Sequence, residues 1–389
     1  MKKILAMLLA SMMCLSTAAC GSKSEAPAEA APEAAESETI VLGGLAPLTG
    51  AVSVYGIATA NGVKLAIDEI NAAGGVMGKQ VVINILDEKG DPTEAVNAYN
   101  KLVDEGMVAL IGDVTSKPCA AVAEVAVEDN IPMITPTGTM ADITPICDNV
   151  FRACFTDPGQ GTIMATFAAE KLEAKSVAVL YNTSDDYSQG IAETFKKDAE
   201  EKGMTVVAYE GYGASDTDFK TQLTNIADSN PDAIMIPDYY EKVALIAAQA
   251  REVGYTGALL GGDGWDGVLT VLDESKLDVV NGSYYACHIF KEDVENERLQ
   301  KFLADYKEKY GEEANSFAAL GYDAAYIMCN AIGAAGSTDA DAIVAALNET
   351  NYSGITGDIT FDEIGNPIKS TSIITLVDGK EALETKVMA

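Results

Sequence analysis

The sequence predicts an α/β fold in two lobes, and three observations carry that expectation. Short apolar runs alternate with longer amphipathic ones, the pattern of βαβ units around a mainly parallel sheet flanked by helices. The same order of elements restarts near Asp157. Further helical segments then follow although the second sheet already has its helices, so the chain crosses back to the first half and returns once more near its end. Two α/β halves joined by several segments make a hinge with a cleft, suited to closing around a ligand.

The first series opens with a strand at 39–45. The helix predicted at 61–73 has Val63, Leu65, Ala66, Ile67 and Ile70 at helical spacing and stops at Gly74-Gly75, a C-cap signal. A strand at 81–86, a helix at 93–105, a strand at 108–111, a helix at 118–129 and a strand at 132–135 complete this half. The second series runs helix 161–172, strand 176–181, helix 190–202, strand 205–210, helix 219–228, strand 233–236, helix 241–253 and strand 258–260. After a strand at 282–287 come helices at 296–310, 317–332 and 339–348, then short strands near 359–361 and 372–377. The halves share architecture rather than high sequence identity.

Residues 1–38 stand outside this fold. Lys2 and Lys3, an apolar run from Ile4 to Cys14 too short to span a bilayer, and Thr17-Ala18-Ala19-Cys20-Gly21-Ser22 resemble a bacterial lipoprotein signal peptide. The resemblance implies a signal over 1–19 and lipidation of Cys20, which would anchor the chain to the cell membrane on its extracytoplasmic side; Thr17 stands where the usual pattern has Leu. An ordinary secretory signal cleaved nearby is the alternative. Residues 20–38 read as a disordered tether, because from Ser22 to Glu38 the chain is almost entirely Ala, Glu, Pro, Ser and Lys and cannot bury enough apolar surface to offset its ordering entropy. No later apolar run approaches the ~20 residues that a spanning helix needs.

The formal charge of −33, from 26 basic and 59 acidic residues, becomes more negative by two when Lys2 and Lys3 leave with the signal. That excess argues against nucleic acid or an anionic membrane face as partner. Beyond residue 20 the cysteines are Cys119, Cys147, Cys154, Cys287 and Cys329, an odd number without metal-ligand spacing, so neither a metal nor a cofactor is expected. Cys147 and Cys154 are close enough to close a small loop, but buried free thiols are the default. The single histidine, His288, follows Cys287 at the end of a strand, where neighbours point to opposite faces, and reads as structural. A Ser-His-Asp triad would have to rest on His288, so no catalytic residue is expected; a hydrolase using Ser116 or a cysteine is disfavoured by the scarcity of histidine.

Ligands of open α/β sheets bind at the carboxyl ends of the strands. After the strand at 108–111, Ser116 stands at a helix start with Pro118 suited to the first turn; its hydroxyl and the free helical N–H groups can hold a carboxylate, and a plain N-cap serine is the equal alternative. Thr137 and Thr139 flank Gly138 after the next strand, where backbone N–H groups can approach an anion, although the segment taken alone is a turn. Residues 262–267 spell GxGxxG, the dinucleotide pattern, but Asp263 and Asp266 would repel a pyrophosphate. The same acids can accept hydrogen bonds from an ammonium, with Trp265 as apolar face or cation–π partner; Asp266 reads as a solvated loop acid. Tyr55, Tyr187, Tyr239, Tyr240 and Phe317 lie at loops, where a cleft can use both ring and hydroxyl. The run Gly74 to Gln80 lacks the spacing and terminal Ser or Thr of a P-loop.

Tyr55-Gly56, the run Asn61 to Asn71 with Gly74-Gly75, Asp91-Pro92, Ile134-Thr135-Pro136, Phe151-Arg152 with Asp157 and Gln160-Gly161, and Gly321-Tyr322-Asp323-Ala324 resemble the leucine/isoleucine/valine-binding proteins of ABC importers, in order over nearly the whole chain after residue 38. The resemblance implies the type I periplasmic-binding fold, with two lobes hinged by three crossovers: 39–157 plus 288–369, and 158–287 plus 370–389. By position it implies that Ser116 and Thr139 hold a ligand α-carboxylate, that Thr137 contributes backbone, and that Asp263 receives the α-ammonium. Tyr187 and Tyr239 fall at second-lobe aromatic positions, Tyr55 and Phe317 at first-lobe walls. The small disulfide of some members is absent, with Gly90 and Thr115 in its place, and Trp265 beside the acid reshapes the side-chain pocket. The implied function is an extracytoplasmic, monomeric solute-binding component that delivers a free amino acid, branched-chain or otherwise apolar, to a membrane permease. A ligand-sensing receptor module, or a binder of an amide or aromatic acid, is the alternative.

Overall fold

The computed structural model describes residues 39–388; the signal segment, Cys20 and the tether lie outside the described residues. The first sheet holds β1 (Ile40–Ala46), β2 (Val81–Asp87), β3 (Ala109–Ile111), β4 (Met133–Thr135) and β5 (Val150–Arg152) in the parallel order β2-β1-β3-β4-β5. Connecting them are α1 (Ser53–Ala72), α2 (Pro92–Asp104) and α3 (Ser116–Glu128). The central strands β3 and β4 are short, apolar and buried throughout, as a sheet covered on both faces requires. Asp91 starts α2 by accepting the N–H groups of Thr93 and Glu94 at 2.8 and 3.0 Å, with Pro92 in the first turn.

The second series is α4 (Asp157–Glu170), β6 (Ser176–Asn182), α5 (Asp186–Glu201), β7 (Thr205–Tyr212), α6 (Lys220–Asp228), β8 (Ala233–Met235), α7 (Tyr240–Glu252), β9 (Ala258–Gly261), α8 (Val268–Val271) and β10 (Ser283–Cys287). Its strands run parallel in the order β10-β9-β8-β6-β7. The chain then returns with α9 (Glu297–Tyr310), α10 (Ser316–Ala335) and α11 (Ala340–Asn348), followed by the small antiparallel sheet of β11 (Tyr352–Gly354), β12 (Gly357–Phe361) and β13 (Pro367–Ile368). Helix α10 packs on α1, so this segment completes the first lobe. Finally β14 (Ser370–Val377) and β15 (Lys380–Met388) extend the second sheet antiparallel to β10. The chain therefore passes between the sheets three times, after β5, β10 and β13.

The expected alternation holds, with differences at boundaries. Helix α1 begins at Ser53 rather than at residue 61, because Gly56 and Gly62 interrupt the apolar stripe. Both glycines serve packing: a Cβ would stand 2.1 Å from the Pro47 carbonyl at Gly56 and 1.9 Å from the Ala318 carbonyl at Gly62. Helices α4 and α5 start four residues earlier than predicted, behind caps from Thr156 and Asp185. Strands β5, β11, β13 and β15 were not anticipated. The first three are very short, and β15 is an edge strand rich in charged residues. No helix among the described residues is long and apolar enough to cross a membrane.

Candidate functional site

The carboxyl ends of the two sheets face each other across a narrow cavity. Ser116, Thr137, Thr139 and Phe317 line it from the first lobe, and Tyr187, Tyr239, Asp263 and Gly264 from the second.

The first-lobe wall is polar and built on β3 and β4. Helix α3 begins at Ser116 with Thr115 in the cap position, so the Ser116 hydroxyl is not spent on its own helix. Instead it accepts the Met140 N–H at 3.2 Å and lies 3.3 Å from the Thr139 hydroxyl. The first N–H groups of α3 lack intrahelical acceptors and give this wall a partial positive charge. The Thr137 hydroxyl donates to the Val114 carbonyl at 2.6 Å. Arg152, wholly buried at the end of β5, donates to the carbonyls of Gly138, Met140 and Ala141 at 3.0, 2.8 and 3.2 Å. Its guanidinium thus ties down the loop that carries both threonines.

The second-lobe wall carries a carboxylate. Asp263, 2% exposed, follows β9, and its backbone N–H donates to the Gln160 side chain at 2.8 Å. Tyr187 donates its hydroxyl to Asp263 Oδ1 at 3.0 Å and accepts the Gly264 N–H at 2.9 Å. The other carboxylate oxygen lies 3.2 Å from His288 Nε2. The Tyr239 ring stacks on that of Tyr187, 4.9 Å between centroids and 11° from parallel. Burial raises the Tyr187 hydroxyl well above the usual tyrosine value, and the neighbouring Asp263 adds to this, so the phenol stays a donor.

Seven of the expected residues, Ser116, Thr137, Thr139, Phe317, Tyr187, Tyr239 and Asp263, meet around the cavity. Tyr55 stands just behind, stacked on Phe317 with centroids 4.1 Å apart. Trp265 is a correction: its ring is fully buried against Tyr285 and its Nε1–H donates to the Ile236 carbonyl at 2.8 Å, so it supports the loop from behind and does not line the cavity. Asp266 is a second correction. It is 2% exposed and accepts the Ser316 N–H at 2.7 Å, a contact between lobes rather than a solvated acid. His288 is buried, as a structural histidine is, and pairs with the site's acid. No local pattern could have shown this, because the partner lies 25 positions away. Cys119, Cys147, Cys154, Cys287 and Cys329 carry free thiols, all buried but Cys147, and burial raises Cys119 to about 12. Among the described residues no group of acids, histidine and cysteines could hold a metal ion.

The motif residues that do not line the cavity hold its frame. Asp323, buried on α10, accepts the Tyr352 hydroxyl at 3.0 Å and the N–H groups of Ile355 and Thr356 at 3.0 and 2.8 Å, anchoring the returning segment to the first lobe. Gly161 lets α4 approach α5, where a Cβ would meet the Phe195 nitrogen at 2.8 Å.

Two α/β lobes, passed between three times and enclosing a small polar and aromatic cavity, define a two-lobed solute-binding protein. A family model for periplasmic binding proteins matches residues 39–381. The Leu/Ile/Val-binding protein BraC3 of Rhizobium johnstonii is 31% identical over 330 residues, 84% of this chain and 88% of the relative. The crystal structure of a leucine-binding protein from Thermotoga maritima is similar with a TM-score of 0.83 at 35% identity, over 90% of this chain and 99% of that one. So is the branched-chain amino acid transporter substrate-binding protein of Streptococcus pneumoniae in complex with isoleucine, with a TM-score of 0.83 at 32% identity and the same coverages. The chain belongs to the periplasmic binding protein family, whose members bind solutes and are not enzymes.

Proposed function

We propose that this chain is the extracytoplasmic solute-binding component of an ABC importer and closes around one free amino acid with an apolar, branched side chain. The observation that carries the reading is the polarity of the cavity. On one wall Ser116, Thr139 and the start of α3 offer donors to an α-carboxylate. On the other, Asp263 offers a carboxylate to an α-ammonium. The rings of Tyr187, Tyr239 and Phe317 supply apolar surface between them, and Tyr55 backs Phe317. The relatives named for leucine, isoleucine and valine support the branched-chain preference.

In this reading the lobes comprise 39–157 plus 288–369 and 158–287 plus 370–389, and they close as a monomer. The signal-like segment at 1–19 is removed, Cys20 carries lipid, and residues 20–38 keep the lobes near a membrane permease. A thermal-shift series tests the ligand class: L-leucine, L-isoleucine and L-valine should each raise the melting temperature, by about 2.7 kcal/mol of added stability at 100 times Kd. Stabilisation by amides or benzoate with none by amino acids would overturn it.

A further inference from the structure

His288 is the single histidine of the chain and the first residue after β10, on the second passage between the sheets. It is 3% exposed, with its Nε2 3.2 Å from Asp263 Oδ2. Its ring stacks on Phe155 from the first passage, 3.8 Å between centroids and 20° from parallel. Charged groups reach it from two sides. Asp263 and Asp266 come from the loop after β9, and Lys369 from the third passage. Lys369 is itself buried, donating to the Ala153 carbonyl at 3.2 Å and the Thr356 hydroxyl at 2.8 Å.

The surroundings select one state of the imidazole. Nδ1 is buried with no hydrogen-bond partner among the described residues. A proton there would be an orphaned donor, whereas a bare lone pair is tolerated more readily. A bare Nε2 would set a lone pair against a carboxylate. The proton therefore sits on Nε2. A second proton is opposed by burial, which lowers the His288 basicity, and by the Lys369 ammonium, although Asp263 acts the other way.

The geometry points to His288 as the positioning residue of the cation-receiving wall: its neutral ring donates Nε2–H to Asp263 Oδ2, fixes that carboxylate toward the cavity and leaves its negative charge for a ligand ammonium. The inference rests on the amino-acid reading above for the ligand, but not for the His288–Asp263 contact. A doubly protonated ring would instead form a neutral pair with Asp263 and cancel the attraction. Because Phe155, His288 and Lys369 each lie on a different passage between the sheets, the same ring joins the ammonium site to the hinge.

The chain's single imidazole makes the test direct. In the lipid-free mature protein without a histidine tag, labelled at the histidine nitrogens, NMR should show neutral His288 with Nε2 protonated from about pH 8 to 6, below which the ordinary imidazole value of ~6.5 would already have charged it. Asp263→Asn should shift the Nε2–H signal. Calorimetry with L-leucine should find His288→Gln, which keeps a donor, within about threefold of the parent, and His288→Leu weaker by about tenfold or more. A proton on Nδ1, a charged ring at pH 7, or parental affinity in a folded His288→Leu variant would overturn the inference. A parent chain that binds no amino acid would sink the ligand reading alone, since the nitrogen spectrum reads the Asp263 contact without ligand.

Discussion

The Tyr55 hydroxyl donates to the Gly264 carbonyl at 2.5 Å, so a residue at the start of α1 in the first lobe is bonded to the loop that carries Asp263 in the second. The same oxygen accepts the Tyr240 N–H at 3.0 Å, and the Tyr240 hydroxyl returns to the Ala51 carbonyl at 2.8 Å. Together with Asp266 and Ser316, these contacts hold the lobes closed over the cavity.

Tyr55→Phe should therefore weaken closure more than folding. It leaves the Gly264 carbonyl and the Tyr240 N–H without their buried partner, a loss of about 1–3 kcal/mol from the closed form. Stopped-flow fluorescence should show faster release of L-leucine, with a melting temperature of the free protein close to the parent. An unchanged release rate would mean that the bond does not govern opening.

Asp263→Ala removes the carboxylate proposed for the α-ammonium and leaves Tyr187 and His288 without their acceptor. Amino-acid affinity should fall by about 1.5–3 kcal/mol or more, with the circular dichroism spectrum unchanged. Retained affinity in calorimetry would sink the assignment.

Glu88, wholly buried after β2, accepts the Gly90 N–H at 2.6 Å beside the buried carboxyl of Asp113. Burial pushes Glu88 from 4.5 up to about 7, although a hydrogen bond with Asp113 acts against this, and burial together with the neighbouring Glu88 pushes Asp113 well above the usual carboxylate range. Stability from a carboxyl raised in this way is complete below its unfolded value and is lost as pH rises through its folded one. This pair should thus lower the melting temperature progressively between about pH 5 and 7. Glu88→Gln, which keeps an acceptor for Gly90, should flatten that slope in calorimetric scans; an unaltered slope would show the pair to be uninvolved.

Two helix glycines, Gly62 in α1 and Gly333 in α10, should respond oppositely to alanine. At Gly62 the new Cβ would lie 1.9 Å from the Ala318 carbonyl, and backbone cannot yield cheaply, so Gly62→Ala should destabilise by about 1–3 kcal/mol. At Gly333, inside α10, the nearest atom is Val76 Cγ1 at 3.8 Å, and Gly333→Ala should gain about 0.5–1 kcal/mol of helix stability. Urea melts of the two variants read the contrast.

The binding loops were legible because their signals are local. Ser116, Thr137, Thr139 and Asp263 each follow an apolar strand directly, and an open α/β sheet places such residues at one edge. Trp265 and Asp266 were misplaced because position in a loop does not say which way a side chain turns. Trp265 turns inward onto Gly261, whose missing side chain makes room for the indole, and Asp266 turns across to the first lobe. The start of α1 was obscured for a related reason, since Gly56 and Gly62 weaken the stripe of apolar residues while letting α1 approach Pro47 and Ala318.

By itself the sequence determined the alternation of strands and helices and the loops that carry the site, because periodicity and turn chemistry act over a few residues, while the three passages between lobes were implied by the family resemblance. Only the tertiary structure decided what His288, Arg152, Gln160 and Asp266 do. Each meets partners brought near by sheet order or lobe closure, and burial favours such pairing with residues that no sequence neighbour specifies.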